Sequence, residues 1–238
     1  MKKNKIGLSP HTLNLFIECP RCFYLEVNYK IKRPRGPMAS IATGLDSIIK
    51  KYFDYYRDNQ ILPPFLEGKI EGKLIEEKIK KTLYYDINKD FVLFGRLDEC
   101  IHLNDGTYVP LDHKTRSSPP DKVHPAYQFQ MEVYSLLLKG NNYPISNFAY
   151  LVYYYPEESK IHNGISFGFD VKKIETDINH AIEIIKNAVE TLKEEKIPSN
   201  SLECEYCKWF ENIKEYSLSD KNGEISVDEV KEEKDTLF

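Results

Sequence analysis

No apolar run in the chain approaches 18 residues, so no segment reads as a membrane-spanning helix. The start, "MKKNKIGLSPHTLNLF", lacks a long apolar core and a small-residue cleavage site. It therefore reads as mature protein, with a cytoplasmic location as the expectation. A strong charge imbalance is also absent: 33 Lys and Arg face 37 Asp and Glu, for a formal net charge of −4. That excludes a uniformly basic nucleic-acid binder. The segment 217–238 carries the whole surplus, with seven acids and three lysines, so any basic groove in the body is local. Cysteine is scarce, with five residues, and in a reducing cytoplasm these call for an account other than disulfides.

What is present is a soluble globular composition, 41% hydrophobic and 29% charged, over 238 residues, enough for a sizeable buried core. Ser9-Pro10 is a helix-start signal, with a helix running through Leu13 and Phe16 towards "ECPRC". The spacing predicts a second helix over 43–59, with Leu45, Ile48, Ile49, Tyr52 and Phe53 on one face. The Lys- and Glu-rich stretch 66–90 reads as partly helical and exposed. "NFAYLVYYYP" and "GISFGFDV" read as strands, and "TDINHAIEIIKNAVETLKEEK" as an amphipathic helix with Asp177 in its first turn. The acidic tail, 217–238, lacks apolar periodicity and is expected to be disordered. The order describes one mixed α/β domain over 1–216, a central mixed sheet flanked by helices.

"FGRLDECIHLNDGTYVPLDHKT", residues 94–115, is the most informative stretch. Asn104-Asp105-Gly106 suits a three-residue hairpin loop with glycine in the left-handed position. Pairing Leu103 with Thr107 places Asp98 opposite Asp112, and alternation puts Lys114 on the same face. Two carboxylates about 5 Å apart repel by roughly 3 kcal/mol at an effective dielectric near 20. A divalent cation offsets that repulsion: Mg²⁺ takes oxygen ligands, usually one or two carboxylates plus water and substrate phosphate. The tripeptide acid-x-Lys occurs nine times in the chain and by itself carries nothing. The strand setting of Asp112 and the earlier acid in register separate it from the rest. A solvated hairpin face is the plainer alternative. On the helix over 126–140, Gln130 and Tyr134 share a face four residues apart, able to reach phosphate or base.

"GRLDECIH…VPLDHKT" followed by "QFQMEVY" resembles the PD-(D/E)XK nuclease superfamily, in particular its RecB-type branch, which includes the CRISPR-associated RecB-like exonucleases. "LSPHTLNLFIECPRCFYL" and "CEYC" resemble that branch's opening and close. The resemblance implies a restriction-endonuclease-like core and a Mg²⁺- or Mn²⁺-dependent deoxyribonuclease. Asp98 and Asp112, with the backbone carbonyl of His113, would hold the metal. Lys114 would assist the attacking water, and Gln130 and Tyr134 would position DNA. It further implies a role in repair, recombination or defence, with a helicase or similar protein as partner. In one respect the chain departs from the pattern. After Gly44 the branch's early-helix His or Glu is missing, and Asp46 is the nearest acid.

Cys19/Cys22 and Cys204/Cys207 are two Cys-x-x-Cys pairs, a donor set for Zn²⁺ or an iron–sulfur cluster. The branch's iron–sulfur members divide their cysteines one plus three, whereas this chain divides them two plus two, so cluster versus zinc stays open. Buried thiols without metal are the plainer reading. Cys100 reads as core packing beside the carboxylates. Arg116, Lys122 and His124, and the "KRPR" run at 32–35, are candidate phosphate contacts or ordinary surface. His11, His102, His162 and His180 receive no role. The non-enzymatic rival is a nucleic-acid-binding or assembly module with weak or no turnover and a four-cysteine metal clamp. A metal-clamped structural subunit is the third reading. Cleavage supports the first, affinity without cleavage the second, and neither the third.

Overall fold

Ser9 fixes the first helix as the sequence predicts. Its side chain accepts the N–H of Thr12 at 3.3 Å while Thr12 Oγ1 accepts the N–H of Ser9 at 2.8 Å, a reciprocal cap satisfying two helix-terminal donors. This is seen in a computed structural model that describes residues 5–34, 36, 40–75, 82–158, 161 and 164–219. The short strand β1 (Ile6–Leu8) leads into α1 (Pro10–Glu18). Cys19 ends that helix and caps α2 (Pro20–Tyr29), which stops at Lys30 in the left-handed region. Then come α3 (Ser40–Asp58), a 3₁₀ turn (Pro64–Leu66), β2 (Lys73–Leu74), β3 (Leu83–Asp86), β4 (Phe91–Gly95), β5 (Glu99–His102) and β6 (Tyr108–Thr115). The described chain continues through α4 (Pro125–Gly140), β7 (Phe148–Pro156), β8 (Phe167–Glu175), α5 (Ile178–Lys193) and α6 (Glu205–Ser219).

Two mixed sheets result among the described residues. The larger has the order β2-β5-β6-β7-β8, antiparallel except for the parallel β6–β7 pair, which α4 connects as a crossover. The smaller has the order β1-β4-β3, with β1 parallel to β4. The hairpin register is the one the turn chemistry predicts: Glu99 pairs with Leu111 and Ile101 with Val109. Gly106 has φ of 84°, the left-handed conformation glycine takes without a Cβ penalty. Asp105 Oδ1 accepts the Thr107 N–H at 2.9 Å, which locks the turn.

Strand alternation sorts the central sheet into two apolar layers. Cys100, Leu151 and Tyr153 face α1, α2, α4 and α5, where Leu13, Phe23, Met131 and Ile185 fill the larger core. Ile101, Val109, Leu111 and Val152 face the opposite way, onto Ile49 and Phe53 of α3. Burying each such side chain contributes about 1.5–3 kcal/mol, so this second layer is what docks α3 beside the hairpin.

Three sequence expectations change. The buried stripe of α3 is Ile49, Phe53 and Arg57, a strict four-residue spacing; Ile48 and Tyr52 are exposed, because a helix covering one flat sheet face buries a narrower stripe than the periodicity allowed. The stretch 66–90 holds no α-helix among its described residues but contributes strands β2 and β3. Asp177 is the N-cap of α5, its carboxylate accepting the Asn179 N–H at 2.8 Å. The first three residues of the acidic tail finish α6; residues 220–238 and His162 lie outside the described residues.

Candidate active site

Asp98 stands immediately before β5, Asp112 and Lys114 on β6, and Gln130 and Tyr134 on α4, so one hairpin and one crossover helix bring all five together. Asp112 is buried, at 2% exposure, whereas about a quarter of the Asp98 side chain is open. Lys114 Nζ stands 2.5 Å from Asp112 Oδ2 and donates to Gln130 Oε1 at 2.9 Å. The amide of Gln130 donates to Tyr134 Oη at 2.9 Å and to Asp112 Oδ1 at 3.3 Å. Lys114 Nζ also lies 4.5 Å from the ring centroid of Tyr127.

The electrostatics follow from that geometry. Burial pushes the Asp112 carboxyl up to about 7; the Lys114 ammonium opposes this and the Asp98 carboxylate adds to it. Burial likewise raises the Tyr134 hydroxyl, helped by Asp112. Two neighbouring carboxylates, one of them desolvated, form an oxygen-only donor set whose charge a divalent cation would relieve, so the residues fit Mg²⁺ or Mn²⁺. His113 turns its ring to the other face, 4.4 Å from the Phe53 ring and with Nδ1 3.2 Å from Tyr154 Oη. Burial lowers that imidazole to about 4. Its side chain is therefore a neutral core group, which leaves only its backbone to the role foreseen for it.

Asp46 approaches from α3 through a residue the sequence did not single out. Lys50 Nζ lies 2.8 Å from Asp46 Oδ2 and 3.6 Å from Asp98 Oδ1. The i, i+4 spacing of Asp46 and Lys50 was visible; the reach to Asp98 was not. Beneath them Arg57 of α3 pairs with Glu99 of β5, both almost fully buried. Of the remaining basic candidates, His124 caps α4, its Nδ1 accepting the Ala126 N–H at 3.2 Å. Arg33 turns inward, donating to Cys204 Sγ at 3.3 Å, rather than offering itself to phosphate. His180 acquires a partner: its Nδ1 lies 2.6 Å from Glu132 Oε2.

The two Cys-x-x-Cys pairs meet. Cys22 Sγ is 3.6 Å from Cys207 and 3.7 Å from Cys204, Cys19 is 3.9 Å from Cys207, and all four sulfurs lie within 4.8 Å of one another. All four are buried. Burial raises the Cys19 thiol, but backbone hydrogen bonds at Cys22 and Ser201 prevail and bring it down to about 7. Burial raises Cys22 and Cys207. Four thiolates in contact repel unless a cation is shared among them, so the donor set fits a metal centre. Cys100 is buried in the larger core, as foreseen.

A carboxylate pair, an ammonium and a Gln–Tyr helix face on a mixed sheet form a layout chemically suited to metal-dependent cleavage of phosphodiesters. The chain belongs to the PD-(D/E)XK nuclease superfamily, whose model matches residues 44–211. That superfamily consists generally of nucleases that use divalent metals. Among solved structures, the chain described as "Crystal structure of SSO0001" is similar at 16% identity, covering 87% of this chain and 85% of that one, with a TM-score of 0.46. No curated protein matches the chain. Among the described residues, no helix is long and apolar enough to cross a membrane.

Proposed function

We propose that the chain is a Mg²⁺- or Mn²⁺-dependent deoxyribonuclease of RecB type, a single nuclease domain over 1–216 acting in the cytoplasm in repair, recombination or defence. The observation that carries this reading is the meeting of Asp98, Asp112, Lys114 and Gln130 within hydrogen-bonding or ionic reach on one face. Asp98 and Asp112, with the His113 carbonyl, would hold the ion, which when bound would supply an acidified water and polarise the scissile phosphate. Lys114 is placed to hold or pass a proton of the nucleophile and to stabilise charge growing on phosphate oxygens. Gln130 orients Lys114 by accepting from its ammonium, and with Tyr134 it offers polar contacts to the strand.

The second reading, a nucleic-acid-binding module with weak turnover, draws on one observation. Lys50 contacts both Asp46 and Asp98, where the RecB-type pattern places a further metal ligand. For the cysteines we infer a single Zn²⁺ rather than an iron–sulfur cluster. Tetrahedral Zn–S bonds of about 2.3 Å set sulfurs about 3.8 Å apart; three of the sulfur pairs stand at 3.6–3.9 Å and all four sulfurs lie within 4.8 Å of one another. A cubane cluster interposes several iron and sulfide ions and spreads its thiolates wider.

The deciding experiment is cleavage of end-labelled single- and double-stranded DNA with Mg²⁺ or Mn²⁺, using protein purified without oxygen. Wild type is expected to cut, and Lys114→Ala and Asp112→Ala to lose at least about 10²-fold in rate. Folded, metal-loaded wild type that binds DNA but cuts none supports the binding-module reading instead.

A further inference from the structure

On the far side of Gln130 from the carboxylates lies a cavity of about 480 Å³. That volume falls in the range of roughly 300–1,000 Å³ that encloses a small organic ligand. Its walls include Ser9 and His11 at the start of α1, Phe94 and Arg96 at the end of β4, and Tyr127 and Gln130 of α4. Among the described residues no Asp or Glu lines it. Arg96 and His11 are exposed, and neither has an ion pair or side-chain hydrogen bond among the described residues. Phe94 is exposed too. It packs against Gly7 of β1 so closely that a Cβ there would come within 2.8 Å of Phe94 Cε1.

The cavity and the carboxylate site share wall residues. Gln130 lines the cavity and donates to Asp112, and Tyr127 lines it beneath the Lys114 ammonium. We propose that this cavity receives one unpaired nucleotide of a DNA strand, adjacent to the bond being cut, with its phosphate on Arg96 and His11 and its base stacked on Phe94. Cationic and hydrogen-bonding walls, with no acid among the described residues, match a phosphodiester, and an exposed ring at the rim matches a base in any sequence. A base inside a duplex would have to leave its stack and its partner to enter, so the occupant is single-stranded at that position. The inference rests on the nuclease reading of the neighbouring carboxylates.

The test measures anisotropy of a labelled single-stranded 12-mer and of the blunt duplex of the same sequence. The parent is the full chain carrying Lys114→Ala, so that binding is read without cutting. Phe94→Ala is expected to weaken single-strand binding by about 5- to 100-fold, and Phe94→Trp to restore it. Arg96→Ala is expected to weaken it and to lower the salt slope by about one ion. Duplex affinity should change little. Both side chains are exposed, and unchanged thermal transitions certify that the variants fold. Single-strand affinity equal to the parent's in Phe94→Ala and Arg96→Ala, or no single-strand binding by the parent, overturns the proposal. The same substitutions in wild type separate the two readings. Cleavage with unchanged KM removes the cavity and leaves the nuclease; lost binding in a chain that never cuts removes the nuclease and leaves the cavity.

Discussion

Lys50 Nζ stands 3.6 Å from Asp98 Oδ1, so a helix ammonium leans on the carboxylate just before β5 that we propose holds metal. The contact is half-exposed on the lysine side, and such pairs contribute only about 0–1 kcal/mol. An arriving divalent ion therefore displaces the ammonium at small cost. Lys50→Met should tighten Mn²⁺ binding by about five- to tenfold, since a unit charge about 4 Å away is worth roughly 1 kcal/mol even in bulk water. Titration calorimetry without DNA checks this. Unchanged affinity would mean that Lys50 swings clear freely.

Asp112 makes stability depend on pH in a stated direction. Its carboxyl is pushed up to about 7 by burial, against an ordinary value of 3.8. The folded state thus prefers the protonated acid, and the penalty for ionising it grows as pH rises from about 4 to about 7 and stays constant above. Asp112→Asn should raise the Tm of metal-free protein at pH 8, with the gain shrinking towards pH 4.5. Mn²⁺ should stabilise wild type at pH 8 and not the variant. Thermal melts at the two pH values, with and without Mn²⁺, measure both effects.

Arg57 and Glu99 form a buried pair linking α3 to β5. Breaking a buried pair costs up to about 3–5 kcal/mol, but Arg57 also pairs with Asp54 and keeps that partner when Glu99 is removed. Glu99→Ala and Arg57→Ala are each expected to lower urea stability, by less than that amount. The double replacement with Leu at 99 and Met at 57 should recover most of it. Equal losses in single and double variants would locate the effect in packing rather than charge.

The cysteine centre joins the start of the chain to α6. Closing a loop of this length by a covalent link stabilises by about 4–5 kcal/mol on the chain-entropy account. Metal analysis should find one zinc per chain, and a strong chelator or Cys22→Ser should lower Tm markedly. Iron with acid-labile sulfide, and a brown protein, would establish a cluster in its place.

Much of this was legible in one dimension because it rests on local rules. The Asn-Asp-Gly turn sets the hairpin register, and with period-two alternation that was enough to align Asp98, Asp112 and Lys114. The Ser9 cap follows from its side chain's reach to the first turn, and the Gln130–Tyr134 spacing from the 3.6-residue period. Other features depended on packing between segments far apart in sequence. The small sheet joins Ile6–Leu8 to Phe91–Gly95, a pairing too short to leave a pattern. Phe94 lies against Gly7, where a Cβ would come within 2.8 Å of the ring. Lys50 reaches Asp98, and Arg57 reaches Glu99, only because an apolar sheet face draws α3 across the hairpin. The two Cys-x-x-Cys motifs announced a donor set by themselves. That they share one centre was decided by the helices that bring Cys19 to Cys207, 188 residues apart, because non-local contacts obey burial and shape, which no short stretch of sequence encodes.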